Sequence, residues 1–246
     1  MIRSPIQKVL SSMRRHGVQC LLMGGQACVF YGAAEFSRDT DLVVLASPAN
    51  LDRFRAALAE LRAENIAVPP FDAHYLSRGH AVHFRCRHPD VEGMRIDIMS
   101  VMRGVAAFEE LWERRTTIVV EGEVHDLLSL ADLVQAKKTQ RDRDWPVLRR
   151  LLEVHYLTNR PQPTPARIDF WLKELRTPAL LVEVATIHAA RARDLMPARP
   201  ALAPALEGKV EAVEVALAEE ERLEREADRR YWQPLRRELE ALRRVR

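Results

Sequence analysis

Apolar and polar residues follow two different rhythms along the chain, and the change of rhythm divides it. Up to about residue 126, short apolar runs alternate with amphipathic stretches. Residues 7–16 read as a helix stopped by Gly17, a residue suited to the left-handed conformation that ends helices. Residues 18–23 (VQCLLM) form an apolar run of strand length, which leads directly into Gly24-Gly25 and a short helix to residue 31. After the loop AAEFSRD comes a second strand, TDLVVLA. Ser47-Pro48 starts a helix with a capping residue and a proline at the first helical position. Leu51, Phe54, Leu58 and Leu61 then mark its buried stripe. Residues 80–86 and 94–100 read as two strands joined through a turn at His88-Pro89-Asp90, followed by a helix over 108–114 and a strand over 116–120.

Beyond residue 125 the rhythm becomes helical throughout. Ser129 and Asp132 have the spacing of a capping box, which predicts a helix running through residue 140, and a second helix covers 142–156. The linker TNRPQPTP breaks the pattern, because closely spaced prolines do not fit a helix interior. The last long helical stretch begins near Gly208, and its register is interrupted at Pro234. The pattern therefore predicts an α+β half over 1–126 and an all-helical half over 127–246.

Composition narrows the class without choosing a function. A chain of 246 residues, 47% hydrophobic and 30% charged, is globular and long enough to bury a core without a disulfide or metal staple. Three cysteines argue against a secreted disulfide framework, and no apolar run approaches the length of a membrane helix. The cytoplasm is the compartment these features favour, with no membrane partner. A net charge of +3 permits a polyanionic partner without requiring one.

Four pieces of sequence carry chemistry when read together. Gly24-Gly25 lies between a strand and a helix, where glycine lets a phosphate approach the backbone and the first helical N–H groups favour an anion. Asp39 and Asp41 are two residues apart at the start of a strand, so both carboxylates face one spot, and a hard divalent cation would relieve their repulsion. Asp97 shares a strand face with Arg95 and Met99, while Ile96 and Ile98 face the other way. Lys137, Lys138, Arg141 and Arg143 gather cations where one helix ends and another begins. Each piece alone is more often structural. His80, Cys86 and His88 also fall on one strand face, with His74 and His83 nearby. Their spacing matches no compact zinc site, and the apolar Val82 and Phe84 share that face.

The order of these pieces resembles the nucleotidyltransferase superfamily typified by DNA polymerase β. The segment LLMGGQACVFYGAAEFSRDTDLVV resembles its bacterial and archaeal branch, which includes the AbiEii-type toxins of abortive-infection systems. RIDIMS resembles the strand bearing the third acid, and LSLADLVQAKKTQRDRDWPVLRRL the helical segment behind the catalytic domain. The likeness covers residues 18–150. One departure is that Gly24-Gly25 stands where many active members have Gly-Ser.

The resemblance implies a mixed β-sheet flanked by helices, with an all-helical region behind it. It implies transfer of a nucleoside monophosphate from an NTP to an acceptor hydroxyl on RNA such as tRNA, on a protein or on a small molecule. Asp39, Asp41 and Asp97 would be catalytic and would hold two Mg²⁺ ions, with Mn²⁺ as a substitute. Gly24, Gly25, Ser37, Lys137, Arg141 and Asp144 would bind nucleotide. A toxin or defence role with an antitoxin-like partner, and a homodimer through the C-terminal helices, complete the expectation. The alternative is an inactive member of the fold that binds nucleotide or a partner protein.

Overall fold

The computed structural model describes residues 4–34, 37 and 39–244. They group into two compact units. The first takes residues 1–30, 34–136 and 231–246, and the second residues 31–33 and 137–230.

In the first unit the elements run α1 (Ser4–Arg15), β1 (Cys20–Met23), α2 (Gly24–Phe30), β2 (Asp39–Val44), α3 (Pro48–Glu60), β3 (Glu64–Asn65), α4 (Ala73–Ser77), β4 (Val82–Arg85), β5 (Arg95–Met99), α5 (Phe108–Glu113), β6 (Thr116–Val120), β7 (Glu123–Leu127) and α6 (Leu130–Ala136). The seven strands make one mixed sheet in the order β3-β4-β5-β2-β1-β7-β6. The pairs β2·β5 and β1·β7 are parallel and the other pairs antiparallel. The predicted mixed sheet with flanking helices is the architecture observed, and the α+β class holds.

Register fixes which side chains meet. Val82, Ile98, Leu42, Leu22 and Leu127 form one cross-strand row over five strands, each at most 1% exposed. Burying each such side chain contributes roughly 1.5–3 kcal/mol. Because successive residues of a strand face opposite sides, the neighbouring row must lie on the other face. That row is Met23, Asp41, Asp97 and His83. The apolar row thus determines where the acids point.

Helix α1 buries Ile6, Val9, Leu10 and Met13, a spacing that makes one helical stripe. The cap predicted at Ser47 is present, with Asn50 N donating to Ser47 Oγ at 3.4 Å. The capping box at Ser129 also forms, with Asp132 N donating to Ser129 Oγ at 3.2 Å. Two elements depart from the sequence expectation. Strand β7 had no strand signal past His125, because its inward positions are His125 and Leu127 rather than an apolar run. Helix α6 stops at Ala136, four residues early, where the chain turns to bring Thr139 and Asp144 together.

The second unit contains α7 (Asp144–Asn159), α8 (Pro165–Glu174), α9 (Pro178–Ile187), α10 (Ala189–Leu195), α11 (Leu202–Leu206) and residues 210–230 of α12 (Val210–Arg244). Its core is built on Leu148, Leu152, Trp171, Leu181, Val184 and Leu202, and Tyr156 meets Trp171 edge to face at 5.0 Å. Helix α12 continues through Pro234, so that residue interrupts one hydrogen bond rather than the helix. Its final residues group with the first unit, where His80 Nε2 lies 2.8 Å from Glu238 Oε2 and Arg78 also pairs with Glu238. The charged stretch EEERLEREADRR forms ion pairs such as Arg222–Glu219 and Arg230–Glu226, as its spacing predicts. Asp228 is the exception: it is buried and accepts from Gln140 N at 2.8 Å. Among the described residues, no helix is long and apolar enough to cross a membrane.

Candidate active site

The site is assembled where β1 hands over to α2. Gly24 adopts a left-handed backbone (φ +67°), which a residue with a side chain rarely accepts. A Cβ at this position would overlap the carboxylate of Asp41. The turn is therefore tight because β2 brings Asp41 against it. At Gly25 a Cβ would meet Ser37 Oγ at 2.8 Å, so both glycines make room for polar side chains of the next loop and strand. Ser37 donates to the carbonyl oxygen of Asp39 at 3.2 Å. Of the loop that leads into β2, Glu35, Phe36 and Arg38 lie outside the described residues.

Asp39 and Asp41 share one face of β2, with Thr40 between them fully buried on the other. Parallel pairing sets Asp41 directly opposite Asp97, and Asp39 opposite Arg95. The sheet therefore brings together on one face the three acids that the sequence singled out. The strand order that does this joins residues more than fifty positions apart.

Asp97 is engaged by two neighbours. Arg95 Nη2 donates to its two carboxylate oxygens at 2.8 and 3.1 Å. His83 Nδ1, one strand further on, lies 2.8 Å from Asp97 Oδ1. The Asp97 side chain is 17% exposed and that of His83 29%, so this pairing is partly shielded from water. Arg95 was visible in the sequence as a companion of Asp97. His83 was not, because its place beside Asp97 depends on the antiparallel register of β4 on β5. The other histidine and cysteine candidates do not gather: His80 pairs with Glu238, and Cys86 is buried with its thiol pushed up to about 11 by burial.

Asp39 and Asp41 offer carboxylate oxygens on this face without a guanidinium between them. Such all-oxygen donors suit a hard divalent cation such as Mg²⁺. Asp39 and Asp41 fit such an ion by donor type and shared face. Among the described residues, no three His, Cys, Asp or Glu side chains converge closely enough to ligate one ion together. Asp97 instead spends its oxygens on Arg95 and His83.

Lys137, Arg141 and Asp144 fall in the second unit, where they form a cluster of their own. Asp144 accepts from Lys137 Nζ at 3.1 Å, Arg141 Nε at 2.8 Å and Thr139 Oγ1 at 2.6 Å. Burial disfavours the charged carboxylate of Asp144, but Lys137, Thr139 and Arg141 outweigh it and hold its pKa below the ordinary carboxylate value. Lys137 is itself 9% exposed, so this cation is an interior ion pair. Trp145 Nε1 closes the turn by donating to the Thr139 carbonyl at 2.8 Å.

No family model and no curated protein matches this sequence. Solved structures that resemble it include an antigenic nucleotidyltransferase-like protein from Paracoccidioides brasiliensis and a candidate nucleotidyltransferase from H. pylori. The first is 18% identical, with 84% of this chain and 93% of that chain covered at a TM-score of 0.41. The second is 16% identical, with 92% and 94% covered at a TM-score of 0.40.

Proposed function

We propose that this chain is a nucleotidyltransferase that moves a nucleoside monophosphate from an NTP to an acceptor hydroxyl. The observation that supports this reading is the row formed by Asp41 and Asp97, with Asp39 on the same face and Gly24 shaped around Asp41. In the reaction, the acceptor oxygen bonds to the α-phosphorus while the bond from that phosphorus to the pyrophosphate oxygen breaks. Asp97 takes the acceptor's proton, and Arg95 and His83 hold its carboxylate in place for that step. Ser37 and the backbone at Gly24-Gly25 bind the outer phosphates at the start of α2. Asp39 and Asp41 would hold Mg²⁺ or Mn²⁺, while Asp97, engaged by Arg95 and His83, stands beside them. Such an ion, when bound, supplies positive charge to the entering and leaving oxygens.

A second reading is favoured by one observation, the engagement of Asp97 by Arg95 and His83. A carboxylate neutralised in this way suits a fold that binds nucleotide without turning it over. The deciding experiment incubates the full chain and Mg²⁺ with each α-labelled NTP and a total cell extract. Label transferred to RNA, protein or a small molecule supports the enzyme and identifies its acceptor. Nucleotide binding with no label transferred supports the second reading. A toxin or defence role adds a cellular test: expression arrests growth, and Asp41→Asn relieves the arrest.

A further inference from the structure

Helix α12 carries its charges in two ways. Between Glu219 and Glu226 the arginines are matched within the helix, Arg222 by Glu219 and Arg225 by Glu221. Further on the match ends. An arginine pair recurs every seven residues, at 229-230, 236-237 and 243-244. The last two pairs lie in the part of α12 that groups with the first unit. Seven residues make almost two helical turns, so these pairs stack on one side, about 10.5 Å apart along the axis. Arg236, Arg237, Arg243 and Arg244 are all exposed. Among the described residues none of the four forms an ion pair, and Glu240 is the one exposed acid between them.

The opposite side of this stretch holds the helix to the first unit. Tyr231, Leu235, Glu238, Leu239 and Leu242 form a stripe with helical spacing, and none of them is exposed. A Cβ at Gly79 would meet the Tyr231 hydroxyl and a Leu235 methyl, while Glu238 pairs with Arg78 and His80. Strand β4 begins two residues beyond His80 and carries His83, which stands beside Asp97. The arginines therefore face solvent from a helix fixed next to the strand that borders the acids.

The surroundings of the arginines say what fits them. Among the described residues, no large apolar side chain of the stretch 231–244 is exposed. A protein interface is built around an apolar centre, and a helix lying on a membrane inserts its apolar side, which here is already occupied. Nucleic-acid interfaces are polar and rich in positive charge, and arginine holds phosphate through paired N–H donors. We propose that Arg236, Arg237, Arg243 and Arg244 dock the phosphate backbone of an RNA that carries the acceptor hydroxyl. RNA fits better than DNA because it offers a 2′-hydroxyl on every nucleotide. The choice of RNA rests on the nucleotidyltransferase reading, whereas the phosphate contact rests on the four arginines alone.

Fluorescence anisotropy of a labelled RNA hairpin, titrated with the full chain in the absence of NTP and metal, tests the proposal. Raising the salt from about 50 to about 200 mM is expected to weaken binding roughly 50–150-fold, the effect of four neutralised phosphates. The double variant Arg236→Gln, Arg243→Gln is expected to bind more weakly and to show about half the salt slope. Its unfolding midpoint is expected to match wild type, because both side chains are exposed and unpaired. Arg222→Gln, which removes a matched arginine, is expected to bind as wild type. No binding at low salt, full binding by the double variant, or an equal loss in Arg222→Gln overturns the proposal. Equal affinity for duplex DNA, an anionic vesicle or polyglutamate overturns the assignment to RNA. Since no turnover is read, RNA binding without label transfer keeps this inference and counts against the enzyme alone. Label transfer to a protein or small molecule, with no RNA binding, does the reverse.

Discussion

Gly24 and Asp41 occupy the same space in turn: a side chain at residue 24 would begin where the Asp41 carboxylate lies. Gly24→Ala therefore faces two costs. A non-glycine residue in the left-handed region costs roughly 1–2 kcal/mol, and Asp41 must also move off the row it shares with Asp97. At Gly25 the backbone is not left-handed, and the nearest obstacle is the Ser37 hydroxyl, the end of a side chain that can rotate. The expected outcome is that Gly24→Ala lowers the unfolding midpoint and nearly abolishes transfer, while Gly25→Ala does less of both. Equal effects on transfer and melting would count against the fit between Gly24 and Asp41.

The paired glycines show what a sequence can and cannot display. Their position between strand and helix was legible, and it suggested room for a phosphate. The nearer reason, the approach of Asp41, required knowing that β1 and β2 pair with Met23 beside Asp41. The shared face of Asp39 and Asp41 was equally legible, since it follows from strand geometry alone. The partnership of Asp41 with Asp97 was not, because nothing local encodes that β2 and β5 are neighbours. His83 was hidden for the same reason. Strand β7 escaped because its buried position is filled by His125 instead of an aliphatic residue. The cations near Lys137 were plain, whereas the burial that commits Lys137 to Asp144 came only with the turn that ends α6.

Asp97 is held by two neighbours that contribute unequally. Arg95 reaches both carboxylate oxygens, whereas His83 reaches one. Loss of an outer partner of a metal-ligating group lowers activity by about 10–100-fold, and a partner of Asp97 is expected to count on the same scale. His83→Gln is expected to fall in that range, with Arg95→Ala lower and Asp97→Asn lowest. Steady-state transfer rates, with circular dichroism to confirm folding, check the order. Full activity in His83→Gln would remove His83 from the site.

Asp144 is the hub of the turn between α6 and α7, and its removal strands a buried lysine. Breaking such a pair from one side costs about 3–5 kcal/mol. Asp144→Ala is expected to destabilise the chain by an amount of this order in urea unfolding at neutral pH. The pH dependence has a definite sign. Because the folded-state pKa of Asp144 is lowered, its contribution is complete above the unfolded value near pH 4 and is lost as acid titrates the folded carboxylate. The stability of Asp144→Asn should therefore vary less than wild type below about pH 4.

His125 supplies the opposite kind of acid sensitivity, in a milder range. The residue is 5% exposed, its ring lies 6.4 Å from that of Phe30, and its buried Nε2 has no hydrogen-bond partner among the described residues. Burial lowers its pKa, opposed by Glu123 and Asp126 and aided by Arg14. As the pH falls below about 6.5, the unfolded chain binds a proton that the folded chain resists, so stability declines. His155 adds a second such group, lowered by burial and then by Arg167, but its Nδ1 accepts from Trp171 Nε1 at 3.0 Å. Replacing His155 would leave that indole donor unsatisfied, so it makes a poor probe. His125 has no such bond to lose at Nε2, and an apolar ring removes both the orphaned nitrogen and the proton. His125→Phe is therefore expected to unfold at a higher temperature than wild type at pH 5.5, with the gap narrowing towards pH 8. A gap independent of pH would mean that the gain came from packing alone and that His125 is not the group that titrates.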